Sequence, residues 1–434
     1  MSIHTEILRH ALDQGPCTAR QLAEKAGISQ PTVSRALSKL GASIVRIGAG
    51  PSIQYAIKDE FRGLVATPIY RVSSAGKIEE LGTLVPVRPQ GFVMQYVTGK
   101  TIYSEGLPWW LVDMRPQGFL GRAYASVYAA GLHLPPNPEH WNDAEVLKAL
   151  LTHGHDNMGN LLIGSEARDR FLNMPRPVPV NRAEDYPVLA KAAALGEAPG
   201  SSAGGEQPKF CAYSELGHVL VKFTAPTDNP VSERWRDLLL AEHLALEVLG
   251  VKTEVYDFGG QRFLEVPRFD RASQLGRVGI CSLRALDMEF VGDALAPWPT
   301  LVTKLAAVGL LQSSAVSETA RLWAFGCLIG NTDMHAGNLS FIGSEGGTYQ
   351  LAPAYDMLPM AFAPRSSGSI IDTLAPATLS TAVPNEIWRE ALQLADAFLR
   401  AIQNCDGFSA RFLPCIASIR RHIDAAAIQI ERLA

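Results

Sequence analysis

Apolar residues at Ile7, Leu8, Ala11 and Leu12 recur at helical spacing and stop at Gly15-Pro16, which predicts a first helix closing there. Thr18 is placed to cap a second helix running through Leu22 and Ala23 to Ala26, and Gly27 permits the turn after it. Ser29 is placed to cap a third, with Pro31 in its first turn and Val33, Ala36, Leu37 and Leu40 facing inward. Past Gly41 the period changes, and two β-like runs, 43–47 and 53–57, flank the turn residues Gly48-Ala49-Gly50-Pro51. Three helices and a hairpin in this order predict a winged helix-turn-helix over residues 1–60, with the hairpin as its wing.

Over 61–180 short β-like runs (69–72, 91–97) alternate with Gly/Pro-rich turns and helical stretches such as 118–130, and no chemistry is legible. The Pro-rich stretch 174–179 reads as a connection into a third unit, 181–434. That unit opens with a glycine-rich loop and strands near 219–223 and 262–266, then turns to helical patterns. A β-rich lobe before an α-rich lobe predicts an α+β fold.

Composition supports packed domains: 434 residues exceed one core, and 47% hydrophobic with 19% charged residues excludes a disordered chain. The six cysteines are scattered without the close pairs of a zinc site or disulfide framework, so reduced thiols are expected. Glu6, His10 and Asp13 interrupt any apolar leader core, and no continuous apolar span follows; a cytoplasmic protein without a membrane partner is expected. The formal net charge is −4, yet residues 1–58 hold seven basic residues against three acidic ones. Local basicity beside Ser29, Gln30, Thr32, Ser34 and Arg35 on the third helix, and Arg46 on the hairpin, predicts DNA as a partner.

The candidate chemistry lies further on. In Gly330-Asn331-Thr332-Asp333-Met334-His335-Ala336-Gly337-Asn338 an Asp and an Asn stand five positions apart between a helical lead-in and an apolar strand. Kinase catalytic loops use this spacing, because the Asp reaches the acceptor hydroxyl while the Asn turns back to hold a metal. After a second strand, Pro353-Ala354-Tyr355-Asp356 delivers another carboxylate beside the loop. Magnesium takes oxygen ligands and keeps its waters, so Asn338, Asp356 and nucleotide phosphates suffice for it. Upstream, the glycine-rich stretch 198–209 offers successive N–H groups to phosphates, and Lys222 ends an apolar strand where kinases place a phosphate-gripping lysine. Asp257-Phe258-Gly259 spells a kinase metal motif, but it precedes the catalytic loop and reads as a hairpin turn.

The loop around Asp333 and Asn338, Ala354-Tyr355-Asp356, Val266-Pro267-Arg268-Phe269-Asp270-Arg271 and Ser201-Ser202-Ala203-Gly204-Gly205 together resemble the HipA family of bacterial serine/threonine kinases. The resemblance spans roughly 160–434, and the architecture is similar to the YjjJ-like branch with its own winged helix. It implies a bilobal kinase fold that binds ATP and Mg2+, with Asp333 as catalytic base and Asn338 and Asp356 as metal ligands. It further implies nucleotide contacts from Ser202, Ala203, Gly204, Gly205, Lys222 and His335, an adenine hinge from Val266 to Phe269, and Asp270 near the ribose. Autophosphorylation of the loop at Ser201 or Ser202 is implied as a silencing device, as is growth regulation of the toxin-antitoxin kind. A protein acceptor is expected, aminoacyl-tRNA synthetases being the acceptors of some members. Gly337, where members often carry Lys, and an extra residue at Glu206 are departures. Two other readings stay open: a DNA-binding regulator whose kinase fold senses nucleotide, and small-molecule phosphotransfer of the antibiotic-kinase type.

Overall fold

A computed structural model describes residues 3–196, 207–344 and 346–433. Its first helix, Ile3–Asp13, buries Leu8 and Leu12. The second, Ala19–Ala26, starts on a reciprocal cap in which the Thr18 hydroxyl accepts from Gln21 N–H and the Gln21 side chain accepts from Thr18 N–H. It ends at Gly27, whose φ of 63° favours glycine. The third, Gln30–Leu40, buries Val33, Ala36, Leu37 and Leu40. Ser29 occupies its N-cap with extended backbone, but its hydroxyl pairs with Thr32 Oγ1 at 3.0 Å instead of capping a backbone N–H.

Strands Ile44–Ile47 and Gln54–Ile57 form the expected hairpin, with Cys17–Thr18 added at its edge. The hairpin does not project as a free wing. Its alternation sends Val45 and Ile47 to one face, where with Ala56 they pack on Val85, Val87 and Val93 of the next unit. Gly48 N–H donates to Thr101 Oγ1 at 2.7 Å and Arg88 pairs with Asp13 at 2.6 Å. Gln30, Ser34, Arg35 and Arg46 remain exposed, and Thr32 is half-buried.

The middle of the chain forms a five-stranded antiparallel sheet in the spatial order Thr101–Ser104, Gly91–Tyr96, Ile78–Val87, Thr67–Val72, Leu161–Ile163. Ile69, Leu84, Phe92, Leu111, Trp141 and Leu150 fill the layer beneath its helices.

The last part has two lobes. The first is a four-stranded antiparallel sheet, Glu254–Phe258, Gln261–Pro267, Gly217–Phe223, Lys209–Ser214, backed by helix Pro230–Val248. Gly259 and Gly260 make the tight turn between Phe258 and Gln261 at φ of 58° and 77°, so Asp257 belongs to a hairpin and pairs with Arg262. The second lobe is helical: Leu283–Phe290, Trp298–Ala307, Ser314–Ile329, Asn385–Gln403 and Leu413–Glu431 enclose a core of Leu301, Phe325, Leu328, Trp388 and Phe398. Each such side chain contributes about 1.5–3 kcal/mol by leaving water. The chain is therefore α+β, a helix-turn-helix followed by a bilobal kinase-like fold. No helix among the described residues is long and apolar enough to cross a membrane. All six cysteines are free thiols, buried or half-buried.

Candidate active site

Strand Gly217–Phe223 is covered on both faces at its end, so Lys222 is buried at 3% exposure. Its Nζ meets Glu242 Oε1 at 2.5 Å and also donates to Asp356 Oδ1. Burial alone would lower the lysine, but the two carboxylates outweigh it and hold Lys222 above its ordinary value. Burial alone would raise Asp356; Lys222 and Lys209 outweigh it and hold the carboxyl below the usual range. The two directions agree on a charged Lys222–Asp356 pair. Glu242, fully sealed on helix Pro230–Val248, is pushed up by burial while Lys222 pulls it back, and its Oε2 has no hydrogen-bond partner. Lys209 stands opposite Lys222 across the strand pair and is likewise buried, which lowers it.

The loop bearing Asp333 follows helix Ser314–Ile329, which stops at Gly330 with φ of 81°. Asn331 is buried behind it. Its Oδ1 accepts from Asp333 N–H at 3.0 Å, and its Nδ2 donates to the Asp356 carbonyl at 3.2 Å. Asn338 Nδ2 donates to the Asp333 carbonyl at 2.8 Å, which commits the amide nitrogen and leaves Oδ1 as the acceptor for a cation. His335 Nδ1 accepts from Gly337 N–H at 3.0 Å, and Trp298 Nε1 donates to the His335 carbonyl at 3.0 Å. The Tyr355 hydroxyl donates to the Gly337 carbonyl at 2.9 Å. Asp356 has φ of 52°, a left-handed conformation that costs a non-glycine residue about 1–3 kcal/mol and is found where surroundings impose it. Asp333 is exposed at the cleft; partial burial and Asp356 raise its carboxyl, with His335 opposing.

Lys222, Val266, Phe269, Asp270, Asp333, His335, Asn338 and Asp356 all line one cleft of about 810 Å3 between the lobes. Asp270 lines it with a carboxylate already engaged: Arg268 at 2.8 Å, Arg271 at 2.6 Å and Gly159 N–H at 3.0 Å. Burial opposes its charge, but the two guanidinium groups hold it well below the usual carboxylate range. A sugar hydroxyl there would share these oxygens with the arginines. Ser201, Ser202, Ala203, Gly204 and Gly205 lie outside the described residues. Ser29, Gln30, Thr32, Ser34, Arg35 and Arg46 belong to the separate N-terminal unit, and none lines the cleft.

Three residues of this network carry no role in the motif reading. A single charge inside the apolar run Leu238-Leu239-Leu240-Ala241-Glu242 was the available signal for Glu242. Lys209 ends the glycine-rich stretch, and Asn331 opens the loop motif itself. Asp113, a fourth, gave no signal: it comes from the middle unit to accept from the N–H and hydroxyl of Ser282, each at 2.6 Å, across 169 positions.

Residues 64–172 match the family described as YjjJ-like toxin, middle domain; residues 201–423 match the HipA-like C-terminal domain; residues 6–43 match bacterial regulatory protein, arsR family. Toxin YjjJ of Escherichia coli is 37% identical over 420 residues, covering 93% of this chain and 94% of that protein. Among solved structures, a chain of the Shewanella oneidensis HipA, HipB and operator DNA complex aligns with a TM-score of 0.48 and 14% identity, over 83% of this chain and 97% of that one. The Helicobacter pylori proinflammatory kinase CtkA aligns with a TM-score of 0.38 and 15% identity, over 52% of this chain and 92% of its own.

Proposed function

Because the chain belongs to the HipA family and carries a helix-turn-helix of its own, we propose that it is an ATP- and Mg2+-dependent serine/threonine protein kinase joined to a DNA-binding unit. The observation that carries this reading is the convergence of Lys222, Asp333, Asn338 and Asp356 on one cleft, with Lys222 charged and locked between Glu242 and Asp356.

The donor set suits magnesium: a carboxylate kept ionised, Asp356, and an amide oxygen, Asn338 Oδ1, with the nitrogen of that amide committed elsewhere. Bound there, the ion would neutralise charge on the transferring phosphates. Lys222 adds positive charge on the same side, and Val266 and Phe269 offer an apolar wall to a base. In the transfer, the acceptor hydroxyl oxygen bonds to the γ-phosphorus as the bond from that phosphorus to the bridging oxygen breaks, and Asp333 receives the hydroxyl proton. The His335 ring hydrogen bond to Gly337 N–H steadies the loop, and the Asn331 tie keeps it in register with Asp356. Such preorganisation is what a reaction resting on positioning requires.

On this reading the acceptors are protein hydroxyls, with Ser201 or Ser202 an acceptor in cis, and the E. coli relative's description as a toxin points to growth regulation. The outer face of helix Gln30–Leu40 is the DNA-reading surface. Incubating a cell lysate with the protein and γ-labelled ATP tests the kinase reading: labelled protein bands support it. Label confined to small metabolites replaces it with small-molecule transfer, and no label at all leaves a nucleotide-sensing regulator.

A further inference from the structure

Among the described residues, the Lys and Arg side chains that line the cleft are Lys209, Lys222, Arg268 and Arg284. The first three are accounted for within the fold. Lys222 lies between Glu242 and Asp356, Arg268 pairs with Asp270, and Lys209 is buried in the sheet, which lowers it. Arg284 differs from them: it is exposed and forms no ion pair among the described residues. Asp113, an acid whose carboxyl feels the Arg284 charge, is already engaged by the N–H and hydroxyl of Ser282, and burial pushes it up. The positive charge left over for an incoming anion is therefore that of Arg284.

Arg284 stands in the first turn of helix Leu283–Phe290. The strand before it, Ile280–Ser282, pairs antiparallel with Ser340–Ile342, Ser282 lying opposite Ser340, and Leu283 N–H donates to the Leu339 carbonyl at 2.8 Å. This pairing brings the helix start alongside Asn338, the proposed amide ligand of the ion, which faces the same cleft. The middle unit braces the helix start from the other side. Ser282 caps it, its hydroxyl oxygen accepting from Ala285 N–H at 3.1 Å while Asp113 accepts from Ser282 in turn. Gln117 Oε1 accepts from Arg284 Nη2 at 2.9 Å, which aims the guanidinium and commits one of its five N–H donors.

A nucleoside triphosphate holding one divalent ion keeps a net negative charge, and transfer of its terminal phosphoryl group spreads charge over the equatorial oxygens. A guanidinium already fixed beside the metal ligand stabilises that charge without reorganising at the moment of reaction. We propose that Arg284 is a further catalytic residue that binds the terminal phosphate of the nucleotide, with Gln117 of the middle unit as its positioning residue. The proposal rests on the kinase reading of the cleft, but nucleotide binding alone reads it out.

The probes are ADP and a non-hydrolysable ATP analogue, each titrated with Mg2+ into the full chain by calorimetry. Wild type should bind the analogue more tightly than ADP. Arg284→Met should cut that advantage about tenfold or more while ADP affinity stays within about twofold, since only the terminal phosphate loses a charge-assisted pair. Arg284→Lys should keep part of the advantage, and Gln117→Ala should lose a smaller part of it. Transfer of labelled phosphate by Arg284→Met should fall about 10²-fold or more. Replacing Arg284 breaks no ion pair among the described residues, so the melting temperature of the nucleotide-free variant should match wild type. The proposal is overturned, with the kinase reading left in place, if wild type does not favour the analogue, if Arg284→Met weakens both nucleotides equally or keeps the full advantage, or if it transfers phosphate at the wild-type rate. A wild type that binds neither nucleotide overturns both.

Discussion

Asn331 donates its side-chain amide to the main-chain carbonyl of Asp356 at 3.2 Å, tying the loop of the proposed catalytic base to the proposed metal ligand through a buried side chain. The same side chain accepts from Asp333 N–H, so one residue sets both positions.

Asn331→Ala removes both bonds. Misplacing reacting groups by a fraction of an ångström to an ångström costs about 10²-fold, so kcat should fall by that order while the KM for ATP changes little. The lost hydrogen bonds should also destabilise the fold by about 1–3 kcal/mol. Steady-state kinetics and thermal melting read the two effects. An equal loss in kcat and nucleotide affinity would show that Asn331 does not act by positioning.

Lys222→Met leaves Glu242 and Asp356 as facing carboxylates in a buried setting. Breaking one side of a buried ion pair costs about 3–5 kcal/mol, so a fall in urea midpoint is expected along with loss of nucleotide binding. Glu242→Gln keeps the shape and the Lys222–Asp356 pair, and should cost less on both counts.

Acid stability follows from Asp270. Its carboxyl is depressed in the fold by Arg268 and Arg271 against the cost of burial, whereas in the unfolded chain it titrates near about 3.9. The stabilisation is therefore fully present above that value and is lost as pH falls through the lower folded value. Urea midpoints should decline on acidification below about pH 4, and Asp270→Asn should flatten that decline while lowering stability at neutral pH by about 3 kcal/mol.

DNA contact should reside on the third helix. Arg35→Glu should weaken DNA binding and reduce the slope of its logarithm against log salt by about 1, while leaving phosphoryl transfer unchanged. Filter binding at several salt concentrations reads the slope; an unchanged slope would remove Arg35 from the interface.

What the sequence disclosed was local. The Thr18 cap, the Gly259-Gly260 turn and the Asp333-to-Asn338 spacing each lie within a few residues, where backbone geometry translates spacing into position. Glu242 and Asp356 reach Lys222 from 20 and 134 positions away, and only packing brings them together. The docking of Val45 and Ile47 onto Val85 and Val93 was hidden for a related reason: an alternating strand announces a buried face without naming its partner. The engaged state of Asp270 had a local trace, since Arg268 and Arg271 flank it in sequence.

The most direct test of the account is transfer of labelled phosphate from ATP to protein by wild type and by Asp333→Ala, with nucleotide affinity measured on both. Loss of a general base should lower transfer by about 10²–10⁴-fold while affinity for a non-hydrolysable ATP analogue stays within about threefold. Equal transfer by the two proteins would contradict the assignment of Asp333, and no transfer by wild type under any supply of ATP and Mg2+ would contradict the kinase reading itself.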